Sequence, residues 1–320
     1  MKAVVLEENG KLVYRDDLPM PVPAESEVLV RMLAVGMCSS DLPRAFAAGS
    51  YRYPHILGHE IFGELADGSR VAVYPLIPCR ACEQCRVGAI NCCTAYSYLG
   101  SRRDGGCAEY VSAPIVNCIA APRLDSVLLA LTEPMAVVIH AARSVSIPFH
   151  ATVRIIGDGP MATMLGYYLL RQGHRNIVIT GKHPEKLALP ALLGIRTVSG
   201  PTDHLPPADV IFELAGSNSA YEAAIAGVRP HGTIIMIGNI RADLAIPAKV
   251  FSQILRKEIR IIGSWNSLYA DWQIAIPFLA SAPEIKQVVS HAAPLSDAPQ
   301  LLSDAYRGTL PNYSKIVFTI

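Results

Sequence analysis

Residues 79–93, CRACEQCRVGAINCC, place five of the chain's eight cysteines within fifteen positions. Four of them, Cys79, Cys82, Cys85 and Cys93, are spaced C-x2-C-x2-C-x7-C. Loops this short let four thiolates converge tetrahedrally on Zn2+, each about 2.3 Å from the metal. A closed shell of thiolates leaves no open coordination position, so the cluster reads as a structural site that holds a lobe. Cys92 falls one residue off that register and reads as a bystander. The first residues, MKAVVLEENGKLVYRDD, meet charges too early for a secretory leader, and in such a chain tight cysteine spacing favours metal over disulfides.

A second set of potential ligands is scattered. GMCSSD (36–41), LGHE (57–60) and LTEPMAVVIHA (131–141) contribute Cys38, His59, Glu60 and Glu133. Each is weak alone: a lone cysteine is commonly a small buried hydrophobe, and Glu133 before a proline could simply start a helix. Together one soft thiolate, one imidazole and two carboxylates form the ligand set of a catalytic zinc with an exchangeable position.

The third motif is GDGPMA (157–162), directly after an apolar run and opening a helical one. It fits G-x-G-x-x-G/A, with Gly157 for the turn, Gly159 for close pyrophosphate approach, and Ala162 for packing. Pro160 suits the first helical turn, Met161 follows it, and the pyrophosphate belongs on the helix N-terminus. The motif predicts a carboxylate about 20 positions on for the adenosine ribose. The second strand instead ends VITGKHPEK, with Gly181 at that place and Lys182 and His183 beside it. Losing the carboxylate removes repulsion of a 2′-phosphate that the two neighbours could bind, which favours NADP(H) over NAD(H). The plain alternative is that Lys182 and His183 are solvated loop residues.

The elements that must position these groups fall into two kinds. The first 120 or so residues read as short strands (Ala3–Leu6, Val28–Leu33, Arg70–Tyr74, Cys107–Ser112) between Gly, Pro and Asp, as in a small barrel or sandwich. From about 135 to 264, apolar strands such as TVRIIG (152–157), NIVIT (176–180), DVIFELAG (209–216) and TIIMIG (233–238) alternate with helical segments. One of these segments, around 184–193, is expected to break at Pro190. Such alternation predicts an α/β, doubly wound parallel sheet with right-handed crossovers. A mixed tail follows, ending in the strand KIVFTI (315–320). At 320 residues, 51% hydrophobic and 17% charged, two domains are the natural expectation. A net charge of +1 suggests no nucleic-acid partner, and no apolar run is long enough to span a membrane.

With the three motifs in this order, the sequence resembles the zinc-containing medium-chain dehydrogenase/reductase family over essentially its whole length. Within it the chain is most similar to the polyol branch, through CSSDLPR (38–44), GSRRDGGCAEY (100–110) and ILRKEIRIIGSW (254–265). The resemblance implies a GroES-like catalytic domain over 1–136 with both zinc sites. It also implies a Rossmann nucleotide-binding domain over 137–264 and a return segment, 265–320, that completes the first. It assigns Cys38, His59 and Glu133 to the catalytic zinc, and Glu60 to the neighbouring carboxylate that can ligate or be displaced. Ser40 becomes the hydroxyl that relays the alcohol proton, and Lys315 a basic residue near the cofactor pyrophosphate.

The implied reaction interconverts a secondary alcohol and its ketone by hydride transfer with NADP(H) or NAD(H), on a polyol, sugar alcohol, sugar phosphate or cyclitol. Rival readings are a zinc-free quinone or enoyl reductase of the same superfamily, or a non-catalytic NADP-sensing protein with structural zinc only. Pro43 stands where many relatives carry an outer relay histidine, which leaves His55 or bulk water to take the proton onward. Arg44, Arg102 and Arg103 suit either a substrate phosphate or ordinary ion pairs. A cytoplasmic homodimer or homotetramer is expected, with TIIMIGN and the 240–250 segment offering a pairing surface.

Overall fold

The computed structural model describes residues 1–240 and 243–320, so part of the 240–250 segment considered for subunit pairing lies outside the described residues. The chain divides into two compact units, Met1–Ala136 with Ser267–Ile320, and Val137–Asn266.

In the first unit, the described residues form a seven-stranded sheet around the long strand Glu27–Met37. That strand pairs antiparallel with Glu60–Glu64, with Tyr110–Pro114 and with the C-terminal strand Lys315–Thr319. It therefore carries the residues just before Cys38 alongside both the Glu60 strand and the Lys315 strand. Gly36 lies opposite Glu60, and Met37 opposite Ile316. A smaller sheet pairs Ala3–Glu8 with Lys11–Arg15 and with His55–Ile56.

The C-terminal segment is stitched to the N-terminal part by buried aromatics. The Tyr74 hydroxyl donates to the Ser267 carbonyl at 2.7 Å, and the Trp272 indole donates to the Ser267 hydroxyl at 3.0 Å. Trp272 packs edge-on to Tyr74 with ring centroids 5.5 Å apart and is fully buried. Burying large aromatic bodies while satisfying their polar tips is what makes this seam favourable.

In the second unit, the described residues form a six-stranded, wholly parallel sheet. Its order is 196–199, 177–181, 153–156, 208–213, 228–236, 260–263. This is the doubly wound arrangement expected from the alternating pattern, with the crossover point at the strand Val153–Ile156. That strand is buried along its length because helices cover both faces of such sheets. It nevertheless carries Arg154, whose guanidinium donates to the Pro206 carbonyl at 2.8 Å.

The helix Pro160–Arg171 starts where the sequence places it, with Gly159 as its N-cap and Pro160 in the first turn. Pro190 does not break its segment. A 3-10 turn, Pro184–Leu187, runs into the helix Ala188–Leu192, so Pro190 lies in the first α turn, where a missing N–H is tolerated. Among the described residues, no helix is long and apolar enough to cross a membrane.

Candidate active site and metal centres

The loop 79–93 brings its four spaced cysteines together. The Sγ atoms of Cys79, Cys82, Cys85 and Cys93 all lie within 4.8 Å of one another. Individual separations are 4.0 Å (79–85), 3.5 Å (82–85) and 3.8 Å (82–93). Four sulfurs each about 2.3 Å from a tetrahedral zinc stand about 3.8 Å apart, so the cage has the size the metal needs. Backbone N–H groups already point at it: Cys79 donates to Cys93 Sγ and Cys82 to Cys79 Sγ, each at 3.3 Å. The N–H groups of Thr94 and Cys85 lower the Cys82 thiol to about 5, while burial and neighbouring sulfurs raise Cys85 to about 12. Cys92 is exposed and outside the set.

The scattered residues converge on a second site. Ligand atoms of Cys38, His59 and Glu60 lie within 4.8 Å of one another. Cys38 follows the strand Glu27–Met37, and Glu60 begins the strand beside it. Gly36 makes the approach possible, because a Cβ there would fall 2.0 Å from Glu60 Oε2. That same Oε2 is buried and has no hydrogen-bond partner. An orphaned carboxylate oxygen facing a thiol and an imidazole is what a cation site leaves when its cation is taken away, so these donors fit zinc.

Glu133 falls outside the 4.8 Å set but belongs to the same neighbourhood. Its Oε1 accepts from the Tyr98 hydroxyl at 3.3 Å, and burial, with Glu60 adding, pushes its carboxyl up to about 7. The Tyr98 ring in turn stands edge-on to His59, with centroids 5.7 Å apart. Ser40, at the N-cap of the short helix Asp41–Phe46, makes no capping bond with its side chain.

Two partners and one pairing were not singled out from the sequence. Asp41 is buried and holds His59 Nδ1 at 3.3 Å, while the Cys38 backbone N–H donates to its other oxygen at 3.2 Å. Burial opposes the imidazolium, but Asp41 and Cys38 hold the His59 pKa well above its usual value. A buried carboxylate on one ring nitrogen fixes the ring's orientation and leaves the other nitrogen for a metal. Tyr98 is the second. The third is a pairing between two residues the sequence did single out, Lys315 and Glu60: the ammonium lies on the Glu60 carboxylate and donates to the Met37 carbonyl at 3.0 Å. Sequence resemblance points Lys315 at a pyrophosphate; within its own unit the structure gives it the charge of Glu60. His55 sits with its Nδ1 3.3 Å from Asp104 Oδ1, so the carboxylate beside it is Asp104.

In the second unit, Gly157 has φ +137°, which a residue with a side chain rarely adopts. Gly159 is different: its φ is −79° and a Cβ there would meet no atom within 4 Å. Among the described residues nothing forces a glycine at 159, and the open space there leaves room for a group to approach the helix N-terminus closely. Ala162 is buried.

Gly181 shows why the ribose carboxylate is missing. A Cβ at 181 would lie 2.5 Å from Asp158 Cβ, so the side chain of Asp158 excludes one from Gly181. Its Oδ2 accepts from the Lys182 N–H at 2.8 Å and the His183 N–H at 2.9 Å, and meets His183 Nδ1 at 2.9 Å. The strand end therefore has a carboxylate after all, contributed by the middle residue of G-x-G, and His183 is not a free loop residue.

Residues 24–123 match the family model "Alcohol dehydrogenase GroES-like domain", and residues 160–281 match "Zinc-binding dehydrogenase". A sorbitol dehydrogenase of Bacillus subtilis is 31% identical over 313 residues, 88% of this chain and 86% of the relative. The crystal structure of galactitol-1-phosphate dehydrogenase from Escherichia coli superposes with a TM-score of 0.92 at 30% identity, covering all of both chains. A zinc-binding dehydrogenase from Sinorhizobium meliloti, crystallised bound to NADP, superposes with a TM-score of 0.90 at 26% identity over 100% of this chain and 99% of its own.

Proposed function

Because the chain belongs to the zinc-containing medium-chain dehydrogenase/reductase family, in its polyol dehydrogenase branch, we propose that it interconverts a secondary alcohol and its ketone at the Cys38–His59–Glu60 site. The substrate is a polyol or sugar-type small molecule, and the cofactors are zinc and NADP(H) or NAD(H). When bound, zinc supplies Lewis acidity toward the substrate oxygen and the nicotinamide ring supplies or accepts the hydride.

The chain's own residues do the rest. Cys38, His59 and Glu133 are assigned as metal ligands, and Glu60 as the exchangeable one, its charge balanced by Lys315. Asp41 keeps the His59 ring in place through Nδ1. The Ser40 hydroxyl relays the alcohol proton in oxidation, passing its own proton onward to water as it accepts the new one, and runs the exchange backward in reduction. Gly157, Gly159, Pro160, Met161 and Ala162 form the pyrophosphate cradle, with Lys182 and His183 at the adenosine ribose. Cys79, Cys82, Cys85 and Cys93 hold the structural zinc. We assign the chain to the cytoplasm as a homodimer or homotetramer; the exposed apolar side chains Phe251, Leu255 and Trp265 support the pairing of subunits.

The observation that carries the reading is the convergence of Cys38, His59 and Glu60 around a buried, unpartnered carboxylate oxygen. Metal analysis should find two zinc ions per chain and one in Cys38→Ser. A panel of polyols, sugar phosphates and their ketoses should be turned over with one or both cofactors. One zinc per wild-type chain, with no oxidation of any alcohol, would refute the proposal.

A further inference from the structure

Three arginines lie in the stretches 38–44 and 100–110, and the structure separates them. Arg103 is committed: its guanidinium is ion-paired with Glu27 at 2.6 Å. Arg44 and Arg102 have no carboxylate within ion-pair distance among the described residues. Instead both stand over the Tyr51 ring, each 5.2 Å from its centroid. Arg102 also covers the Tyr96 ring at 4.0 Å and donates once, to the Tyr96 carbonyl at 2.7 Å.

Two like charges share one aromatic ring with no carboxylate in direct contact; the charge that Arg44 feels from Asp41 is already shared with His59, and cation–π attraction only partly offsets the repulsion. Apart from the Arg102 bond to the Tyr96 carbonyl, these ring contacts use none of the guanidinium N–H groups, and free N–H groups of arginine are what bind oxyanions through paired hydrogen bonds. Two further buried polar atoms, one on Arg44 itself and one on the chain neighbour of Tyr51, lack partners. Arg44 Nε is buried with no acceptor, and so is the hydroxyl of Ser50, the residue before Tyr51. A buried N–H without an acceptor costs free energy that an arriving oxyanion would recover.

The cluster reaches the metal site from two directions. Arg44 is three residues after Asp41 on the helix Asp41–Phe46, about one turn (~5 Å) from the carboxylate that holds His59. Tyr96, under Arg102, packs edge-on to Tyr98 with centroids 6.2 Å apart, and Tyr98 touches both His59 and Glu133. The arginines are therefore near the reacting centre without belonging to it, a position for the far end of a substrate.

We propose that Arg44 and Arg102, with Ser50, form a subsite for a terminal oxyanion of the substrate, and that the chain acts on polyols ending in a phosphate ester. This rests on the alcohol dehydrogenase reading above and narrows its substrate. A phosphate is favoured over a carboxylate because it brings two charges and three acceptor oxygens to two guanidinium groups.

The test compares sorbitol, sorbitol 6-phosphate and gluconate as substrates of the zinc-loaded enzyme, and titrates inorganic phosphate calorimetrically against the same protein. The ratio of kcat/KM for the phosphorylated over the neutral polyol should be large. It should fall about 100-fold in Arg44→Met/Arg102→Met, through KM, as expected for loss of charge-assisted bonds. Arg44→Lys/Arg102→Lys should recover part of the ratio, and Arg103→Met should leave it unchanged. Inorganic phosphate should bind the wild type and not the double methionine variant, a readout that stands even if no alcohol is oxidised. A preference for gluconate over sorbitol 6-phosphate overturns the phosphate assignment. Equal use of neutral and phosphorylated polyols, with no phosphate binding, overturns the subsite.

Discussion

The two cysteine-containing sites solve opposite problems. The loop 79–93 gathers four identical ligands from fifteen consecutive residues, near the surface, with backbone N–H groups directed at sulfur. The site at Cys38 gathers unlike ligands from separate elements, surrounds them with buried charges, and leaves a carboxylate oxygen without a partner. A closed thiolate cage needs only a loop of the right length. An open site needs a sheet to bring strands together, a glycine to let Glu60 in, Lys315 to balance its charge and Asp41 to aim an imidazole. On the proposed assignment, the contrast teaches that the densest cluster holds structure, while chemistry sits where donors are least alike and hardest to assemble.

The largest effects should separate the two sites by phenotype. Cys38→Ser should abolish turnover, by 1000-fold or more, while the protein stays folded by circular dichroism and keeps one zinc. Cys82→Ser should lose the other zinc and lower Tm by about 10 °C, since the metal's binding energy is folding energy for the lobe. A Cys38→Ser protein that retains full dehydrogenase activity would break the contrast at once.

A smaller effect probes the support of the open site. Asp41→Asn keeps the size of the side chain but removes the charge that faces His59 Nδ1. Zinc affinity at this site should fall 10- to 100-fold, roughly, as for other outer carboxylates on ligating histidines, with the cage's zinc untouched. Competition with a chromophoric chelator measures both sites in one titration, and equal weakening of the two would remove Asp41 from its role.

Legibility in the sequence follows the same divide. The cage was readable from spacing alone because its partners are neighbours in the chain. The doubly wound unit was readable because apolar strands and helices alternate, and the motif 157–162 fell at its crossover point. The pairing of Lys315 with Glu60 was not, because the two are 255 positions apart and only the strand pairing through Glu27–Met37 joins them. Tyr98 carried no signal beyond being a tyrosine near a cysteine cluster. Asp41 stood in plain view within CSSD, yet its role depends on a fold that turns it toward His59. Pro190 misled because a 3-10 turn placed it early in its helix, and the vacancy at Gly181 because volume is shared across 23 residues with Asp158.

The nucleotide motif repeats the contrast on a smaller scale: its glycines are local, whereas the carboxylate at the strand end arrives from Asp158. In Asp158→Ala the N–H groups of Lys182 and His183 and the His183 ring lose their acceptor. They then become available to a 2′-phosphate, and the ratio of Kd for NADPH to Kd for NADH should fall about tenfold. Fluorescence titration of both reduced cofactors measures this, and an unchanged ratio would separate Asp158 from the adenosine ribose.

The smallest expected effect is the sharpest check on register within the cage. Cys92 and Cys93 are adjacent, but only the Cys93 sulfur faces the other three; it is buried and accepts from the Cys79 N–H, whereas Cys92 is exposed. Cys92→Ser should therefore keep both zinc ions, with Tm within about 1 °C of the wild type, as for surface substitutions without partners. Cys93→Ser should behave as Cys82→Ser does. If Cys92→Ser loses the structural zinc and Cys93→Ser keeps it, the closing ligand is the other cysteine. The distances of 3.5–4.0 Å among Cys79, Cys82, Cys85 and Cys93 would then describe a packing of thiols rather than a metal cage.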